Sequence, residues 1–182
     1  EKMEEAITEM LADGIIRESK SPFNSPIIAV PKANGSIRPC NDYRQLNTKV
    51  IPDRYPLPIL GEVLQSLEGS TVFSTLDCQS GFWQIPLEES SKGKTAFSTQ
   101  SGHWEYNVLP FGLKDAAPSF ERAMMMALSG LIGVAVLVYL DDVIIYTKTV
   151  EEHLEKLRQV LEKLRESGMT LKISKCKLLR TD

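Results

Sequence analysis

Three aspartates are the residues of this sequence whose type and spacing best suit a chemical role. Asp141 and Asp142 are adjacent, and they lie between two strongly apolar runs at residues 134–139 and 143–146. Asp77 follows a third run of strand type at residues 71–76. The apolar runs predict a hairpin in the centre of a sheet, where carboxylates are costly unless a cation holds them. The pattern therefore favours a site for a divalent metal ion.

The plainer interpretation of Asp141 and Asp142 is a hairpin turn, because aspartate is common in turns. Successive side chains of a strand point to opposite faces, so these two carboxylates do not both face one ion squarely. A third carboxylate is needed from another strand, and Asp77 is the natural candidate. Mg²⁺ prefers such hard oxygen ligands. On spacing alone, a metal nuclease or another phosphotransferase fits almost as well as a polymerase.

The composition is that of a folded chain without a membrane-spanning segment. The 182 residues are 42% hydrophobic, and no apolar run approaches the roughly 20 residues of a membrane span. The N-terminus lacks the pattern of a signal peptide, so we expect an intracellular protein without membrane contact. The three cysteines and two histidines are widely spaced, which indicates neither a disulfide framework nor a zinc site.

The charge is unevenly distributed along the chain. The formal net charge of −3 argues weakly against a nucleic-acid binder, because phosphate contacts usually require a basic excess. Residues 32–54 are nevertheless locally basic, whereas residues 1–13 are acidic. A basic lobe beside an acidic helix is compatible with polynucleotide binding.

The elements that must position the aspartates form an α+β pattern with a mostly antiparallel sheet. Hairpins are expected at residues 26–40, with Asn34-Gly35 as the turn, and at 95–108, with Ser101-Gly102 as the turn. Apolar spacing predicts helices at residues 3–13, 60–67, 116–128 and 151–165. A final strand is expected at residues 169–173.

The order of motifs resembles the reverse transcriptases of Gypsy-type LTR retrotransposons and, more distantly, those of retroviruses. Residues 139–142, Tyr-Leu-Asp-Asp, resemble the family's Y-x-D-D box, and residues 73–77 followed by 80–85 resemble its first catalytic strand and turn. Further blocks follow in family order: Ser21-Pro22 with Ser25-Pro26, residues 34–38, 42–47, 55–58, 94–97, 109–113 and 151–154, and Lys175-Cys176. A collinear set of this kind is far more specific than any single box.

The resemblance implies an α+β right-hand polymerase that adds deoxynucleotides to a primer 3′-hydroxyl. It assigns residues 1–70 to the fingers side, with the N-terminal helix and basic hairpin, and residues 71–182 mainly to the palm, with a fingers insertion near 88–108. The expected partners are an RNA or DNA template with its primer, deoxynucleoside triphosphates, and the thumb, connection and ribonuclease H of a Pol polyprotein in a cytoplasmic element particle. Without those parts we expect the fragment to extend primers weakly or not at all.

The resemblance also assigns roles to single residues. Asp77, Asp141 and Asp142 are the implied catalytic ligands of two Mg²⁺ ions, with Mn²⁺ as a substitute, and Tyr139 and Leu140 support them. The implied nucleotide-binding residues are Lys32, Arg38, Ser80, Gly81, Phe82, Phe111 and Gly112. Phe82 matches the aromatic residue under the incoming sugar, where a large ring collides with a 2′-hydroxyl and favours deoxynucleotides. The fixed guanidinium fork of Arg38 suits phosphate oxygens.

Three segments depart from the family pattern, and two rival interpretations stay open. Cys78, Phe82-Trp83 and residues 115–117, Asp-Ala-Ala, replace the family's usual residues, but none of them is a metal ligand. One rival is a non-catalytic remnant that only binds nucleic acid or a partner. The other is an RNA-templated RNA polymerase, against which an aromatic Phe82 and the Tyr-Leu-Asp-Asp box argue. For Asp42 and Arg44 we expect no more than a structural ion pair.

Overall fold

The computed structural model describes residues 2–32, 35–53, 55, 61, 65–139 and 142–181. The described strands are β1 (Ile16–Glu18), β2 (Ile27–Pro31), β3 (Ile37–Asn41), β4 (Val72–Asp77), β5 (Phe97–Thr99), β6 (Gly102–Tyr106), β7 (Val136–Tyr139), β8 (Asp142–Thr147) and β9 (Lys177–Arg180). The described α-helices are α1 (Lys2–Ala12), α2 (Arg44–Asn47), α3 (Glu89–Lys92), α4 (Ala116–Ala127) and α5 (Val150–Glu166), with 3₁₀ turns at Gly81–Gln84, Gly93–Thr95 and Ile173–Lys175. The predicted α+β class is confirmed.

The chain divides into two compact units. Unit 1 comprises Glu1–Pro52 and Phe82–Ala116, and unit 2 comprises Asp53–Gly81 and Ala117–Asp182. Each unit is therefore built from two separate stretches of sequence. The division into a fingers side at residues 1–70 and a palm at 71–182 stays a prediction.

Unit 1 contains both predicted hairpins. Strands β2 and β3 pair antiparallel, and Asn34 of the expected turn lies outside the described residues. Strands β1, β6 and β5 form a separate antiparallel sheet in that order. The turn between β5 and β6 is Gln100-Ser101 instead of Ser101-Gly102, because Gly102 already pairs with Thr99 in the ladder. The Thr99 hydroxyl accepts a hydrogen bond from the Ser101 amide, which holds the chain in this turn.

The core of unit 1 forms where helix α1 packs beside these strands. Phe97 is fully buried and its ring lies 5.5 Å from that of Tyr106. The other buried members of this cluster are Ile7, Met10, Ile16 and Tyr43. The helical spacing of Ile7 and Met10 explains why α1 has one apolar face and a solvated acidic one.

Unit 2 is built on a sheet with the strand order β7, β8, β4, β9. Strands β8 and β4 each have a neighbour on both sides. The two runs of the expected hairpin, at residues 134–139 and 143–146, correspond to β7 and β8, which pair antiparallel. Of these two only β8 is central, because β7 is the outermost described strand on its side of the sheet, and the expectation that the whole hairpin lies in the centre is corrected. Along β4, Val72, Ser74 and Leu76 are buried while the residues between them are half-buried. This period of two marks one face packed against the core and one face that reaches solvent.

Helix α5 covers the buried face of the central strands. Its buried residues are His153, Leu157, Val160 and Leu164, and it packs on β8 and β4. Thr149 caps the helix by accepting a hydrogen bond from the Glu152 amide at 3.2 Å. Glu151 and Glu152 lie in the first turn and Lys163 and Arg165 in the last, an arrangement that favours the helix dipole. The predicted helix at 151–165 is confirmed.

The strand expected at residues 169–173 is wrong. In this segment only Leu171 pairs, in an isolated bridge with Cys78, and a 3₁₀ turn follows at Ile173–Lys175. The strand lies later, at β9, where it pairs antiparallel with β4. All four residues of β9 are exposed, so no apolar alternation marks it in the sequence.

Two further expectations concern helices. The helix at 116–128 is confirmed as α4, whereas the one at 60–67 falls largely outside the described residues. In the part of the chain that the structure describes, no helix is long and apolar enough to cross a membrane.

We expect Phe97→Ala to lower the free energy of unfolding by about 3–5 kcal/mol, because it removes a fully buried ring and leaves a cavity. The same substitution at Phe23, which is 57% exposed, is the matched control in unit 1 and should cost under about 0.5 kcal/mol. Urea unfolding followed by circular dichroism measures both. Equal losses for the two variants would contradict this account of the core.

Candidate active site

Asp77 and Asp142 occupy directly opposing positions in the antiparallel ladder of β4 and β8. The paired residues run without interruption from Val72 opposite Thr147 to Asp77 opposite Asp142. Opposing residues of an antiparallel pair share a face, with Cβ atoms about 4.5–5.5 Å apart. The fold thus brings together two carboxylates that are 65 positions apart in sequence.

The two carboxylates lie on the face of the sheet that reaches solvent. Leu76 and Val143 precede and follow them on the buried face, at 1% and 0% exposure. Asp142 is exposed, and the Asp77 side chain is 28% exposed. Alternation along each strand therefore places the acids outward and the aliphatic side chains inward.

The hairpin that carries the other predicted acid is described only in part. Tyr139 at the end of β7 pairs with Asp142 at the start of β8. Leu140 and Asp141, which connect them, lie outside the described residues. Among the residues described, no group of three or more His, Cys, Asp or Glu side chains is placed to hold a metal ion. The described part of the site is thus the Asp77 and Asp142 pair.

A lysine contacts one of these aspartates. Lys175 Nζ lies 3.5 Å from Asp77 Oδ2, and its side chain is 59% exposed. Lys175 belongs to the Lys175-Cys176 block that resembles the family's. Its contact with Asp77 was not predicted, because nothing in the sequence indicates which acid a lysine contacts at a separation of 98 positions. The position of this ammonium group shows that the carboxylates attract a positive charge here. The oxygens of Asp77 and Asp142 are of the kind that a hard divalent ion prefers.

The turn after Asp77 contains two of the predicted nucleotide-binding residues. Ser80 adopts a positive φ of 49°, which places the backbone in a tight left-handed turn. A Cβ atom on Gly81 would lie 3.1 Å from the ring of Phe120, which is fully buried. Close packing against Phe120 is thus a structural reason for glycine at this position.

Unit 1 brings three other predicted residues into one cluster. The ring of Phe111 lies 5.1 Å from that of Phe82, and the guanidinium of Arg38 lies 5.8 Å from the Phe111 ring centre. Trp83 adds an edge contact to Phe111 at 5.8 Å. A guanidinium at this distance from an aromatic ring is attracted to its face.

Lys32 and Gly112 are the two remaining predicted nucleotide-binding residues of unit 1. Lys32 lies just past the end of β2, and its amide donates a hydrogen bond to the Ser36 carbonyl at 2.8 Å, close to the start of the strand that carries Arg38. Gly112 has a φ of 91°, and a Cβ atom there would lie 3.4 Å from the Asn41 carbonyl oxygen. Its own carbonyl accepts a hydrogen bond from Asn47 at 2.8 Å. The conformation of this turn therefore requires glycine.

A basic cleft of about 710 Å³ also lies in unit 1. Arg44, Lys49 and Lys94 supply its positive charge, and the exposed ring of Phe23 lies at its border. Arg44 pairs with Asp42 at 2.5 Å, which is the expected structural ion pair, and this hydrogen-bonded partner lowers the pKa of Asp42 to about 2. The cleft thus retains a net positive charge.

The comparison with protein families gives one match. Residues 30–182 match the family model described as reverse transcriptase (RNA-dependent DNA polymerase). The chain is 45% identical, over its whole length, to the retrovirus-related Pol polyprotein from transposon 297 of Drosophila melanogaster, of which it covers 18%. It is 39% identical over 96% of its length to the corresponding polyprotein from transposon gypsy, of which it covers 17%.

Solved structures give the same result. The chain superposes on a foamy viral protease-reverse transcriptase in complex with double-stranded DNA with a TM-score of 0.90, at 30% identity, covering 99% of this chain and 31% of that one. A second structure of that enzyme, in complex with an RNA/DNA hybrid, gives a TM-score of 0.89 at 30% identity, covering 98% of this chain and 24% of that one. The predicted resemblance is confirmed. The chain spans less than a third of each of these proteins.

We expect Lys175→Ala to tighten divalent-cation binding by about fivefold, since a unit charge near 4 Å in water contributes roughly 1 kcal/mol. Mn²⁺ titration followed by water proton relaxation measures the binding. Lys163→Ala, in the last turn of α5, removes the same charge elsewhere in unit 2 and serves as the control. Unchanged or weaker binding in the Lys175 variant would contradict a cation site at Asp77.

Proposed function

The chain belongs to the reverse transcriptase (RNA-dependent DNA polymerase) family, and on that basis we propose that it is the catalytic part of a Gypsy-type retroelement Pol polyprotein. Its reaction is the addition of deoxynucleotides to a primer 3′-hydroxyl under the direction of a template. The observation that carries the proposal is the cross-strand pair of Asp77 and Asp142, on the solvent-reaching face at the end of two central strands. Two like charges directly opposite each other on neighbouring strands repel, and a bound cation would offset this repulsion.

We propose Asp77, Asp141 and Asp142 as the metal ligands. The family implies dependence on divalent metal, and Mg²⁺, with Mn²⁺ as a substitute, suits carboxylate oxygens. Two bound ions supply activation of the attacking hydroxyl and neutralisation of the leaving pyrophosphate. The protein's own contribution is to hold the Asp77 and Asp142 carboxylates outward on two paired strands, with Leu76 and Val143 buried on the opposite face. We assign Tyr139 and Leu140, the neighbours of Asp141 in the sequence, to the support of the active site.

We propose that the cluster of Arg38, Phe82 and Phe111 belongs to the nucleotide site. The guanidinium of Arg38 donates to phosphate oxygens, and contact with the Phe111 ring limits the positions of its fork. Phe111 likewise supports the Phe82 ring, which we assign to the deoxyribose. Lys32 adds charge just past the end of β2 in the same hairpin, while the backbone amides of Ser80 and Gly81 and the turn at Gly112 complete the proposed set.

The proposed macromolecular partner is a primer–template duplex of RNA or DNA. It is supported by the foamy viral enzymes, whose structures contain double-stranded DNA or an RNA/DNA hybrid. In this chain the basic cleft lined by Arg44, Lys49 and Lys94 suits a phosphate backbone. The thumb, connection and ribonuclease H of a Pol polyprotein are the proposed covalent neighbours, within a cytoplasmic element particle.

Asp77→Asn and Asp141→Asn should each abolish primer extension in a protein that joins this chain to its downstream Pol domains, while binding of primer–template stays nearly unchanged. Each substitution removes a metal ligand but no phosphate contact. Asp115→Asn is the matched control, because it removes a carboxylate and restores the residue usual in the family. Gel extension assays and fluorescence anisotropy measure the two properties.

The size of the loss of primer extension decides whether Asp77 and Asp141 are catalytic residues. Extension that survives within about tenfold, a barrier change of only about 1.4 kcal/mol, is too small for a lost ligand of a two-ion site. Such a result for Asp77 or Asp141 would refute the catalytic role. Complete inactivity of the unsubstituted protein would instead support a non-catalytic remnant.

Phe82→Ala should reduce discrimination against ribonucleotides by about tenfold to a hundredfold, because a smaller side chain no longer collides with the 2′-hydroxyl. The ratio of kcat/KM for deoxynucleotides to that for ribonucleotides measures the effect. Phe23→Ala, which removes a ring outside the cluster, should leave the ratio unchanged. A wild-type protein that prefers ribonucleotides would favour the RNA polymerase alternative.

A further inference from the structure

His153 joins helix α5 to both central strands of unit 2. Its ring is fully buried, with Nε2 at 2.7 Å from Ser74 Oγ on β4 and Nδ1 at 2.9 Å from Thr147 Oγ1 on β8. The two hydroxyl residues are also buried, at 1% and 3% exposure. His153 belongs to the recognised block of residues 151–154, to which the proposed chemistry gives no role. A histidine held on both sides in the core requires its own explanation.

The hydrogen bonds around the ring fix the direction of each donor. The Thr147 hydroxyl donates to the carbonyl of Thr149 at 3.1 Å, so its oxygen accepts from His153 and Nδ1 carries the proton. Burial lowers the pKa of His153 and so favours the neutral ring, in which a proton on Nδ1 leaves Nε2 as an acceptor. The Ser74 hydroxyl must therefore donate to Nε2. Its oxygen accepts the backbone N–H of Leu179 at 3.0 Å.

Leu179 lies in an irregular part of strand β9. Phe73 pairs with Arg180 and Thr75 with Lys177, so the single residue Ser74 faces two residues of β9. This is a β-bulge, and Leu179 within it adopts a positive φ of 53°. Its amide donates to a side-chain acceptor, the Ser74 hydroxyl. Because β9 is exposed along its whole length, this bond is an important part of what holds the bulge in place.

We propose that His153, as the Nδ1–H tautomer, is a positioning residue that orients the Ser74 hydroxyl and thereby fixes the bulge of β9 on the catalytic strand β4. The 3₁₀ turn that ends at Lys175 precedes β9, and Lys175 contacts Asp77. The network thus determines how this segment lies along the strand that carries Asp77. We expect the position of this segment to affect catalysis at Asp77, and this effect alone rests on the proposed polymerase function.

The tautomer is measured directly by nitrogen NMR of the chain labelled in its two histidines. His103 is an internal contrast, because its Nε2 lies 3.0 Å from the Ser21 carbonyl and must donate, while its Nδ1 faces the Ser98 hydroxyl. At about pH 8, above the ordinary histidine pKa of about 6.5, we expect a protonated Nδ1 for His153 and a protonated Nε2 for His103. A His103→Gln variant assigns the signals. A protonated Nε2 on His153 would overturn the proposal without any variant in the core.

Amide hydrogen exchange tests the anchoring of β9. Ser74→Ala should accelerate exchange of the Leu179 amide by at least about tenfold, relative to the amide of Ile145 in β8, because its acceptor is lost. Ser98→Ala is the matched control, since it breaks a serine–histidine bond in unit 1, the one between Ser98 and His103. Unchanged Leu179 exchange in a folded Ser74→Ala protein would refute the anchoring role.

Primer extension then tests the link to catalysis in a protein that includes the downstream Pol domains. Ser74→Ala and His153→Phe should lower kcat by about tenfold, with the KM for deoxynucleotides within about twofold, because neither variant alters the Arg38 and Phe82 cluster. An equal rise of KM, or an unchanged kcat, would count against positioning. If even the unsubstituted protein is inactive, the proposed function fails, whereas the NMR and exchange results still decide the role of His153.

Discussion

The antiparallel register between β4 and β8 is the constraint on which the candidate site depends. The side chains of a strand alternate between faces, so a slip of β8 by one residue against β4 would turn Asp142 toward the core and Val143 toward water. Both changes are strongly unfavourable, since one buries charge and the other exposes aliphatic surface. Core packing beneath the sheet thus determines the geometry of the acids above it.

The sequence was sufficient to predict a helix or strand where its apolar residues or its turn have a recognisable pattern. Helices α4 and α5 were predicted because their apolar residues recur at the helical period, and strands β4 and β8 because they are apolar runs of strand type. The hairpin of β2 and β3 was predicted from its Asn34-Gly35 turn, although β2 is mostly exposed. Strand β9 was missed for the opposite reason: its four residues are exposed and its pairing includes a bulge. The contact of Lys175 with Asp77 depends on that strand, so it was missed as well.

The residues of the candidate site also divide into those that the sequence alone indicated and those that it could not group. Sequence alone proposed Asp77 and the Asp141-Asp142 pair from their positions at strand ends, but it could not link Arg38 with Phe82 and Phe111, which lie on different elements. Only the family resemblance grouped them, and the structure places their side chains in contact within unit 1. Gly81 illustrates the limit of motif reasoning, since a glycine assigned to phosphate also has a packing reason at Phe120.

The bulge in β9 has a second consequence, for the solubility of the chain. β9 is the outermost described strand on its side of the sheet, where a regular edge would offer unpaired backbone groups to another molecule. The extra residue at Leu179 breaks the regular spacing of those groups, and Lys177 and Arg180 add positive charge at the two ends of the strand. A second copy of β9 would meet both a distorted edge and like charges. The irregularity that accommodates the Ser74 hydrogen bond therefore also protects the sheet against edge-to-edge aggregation.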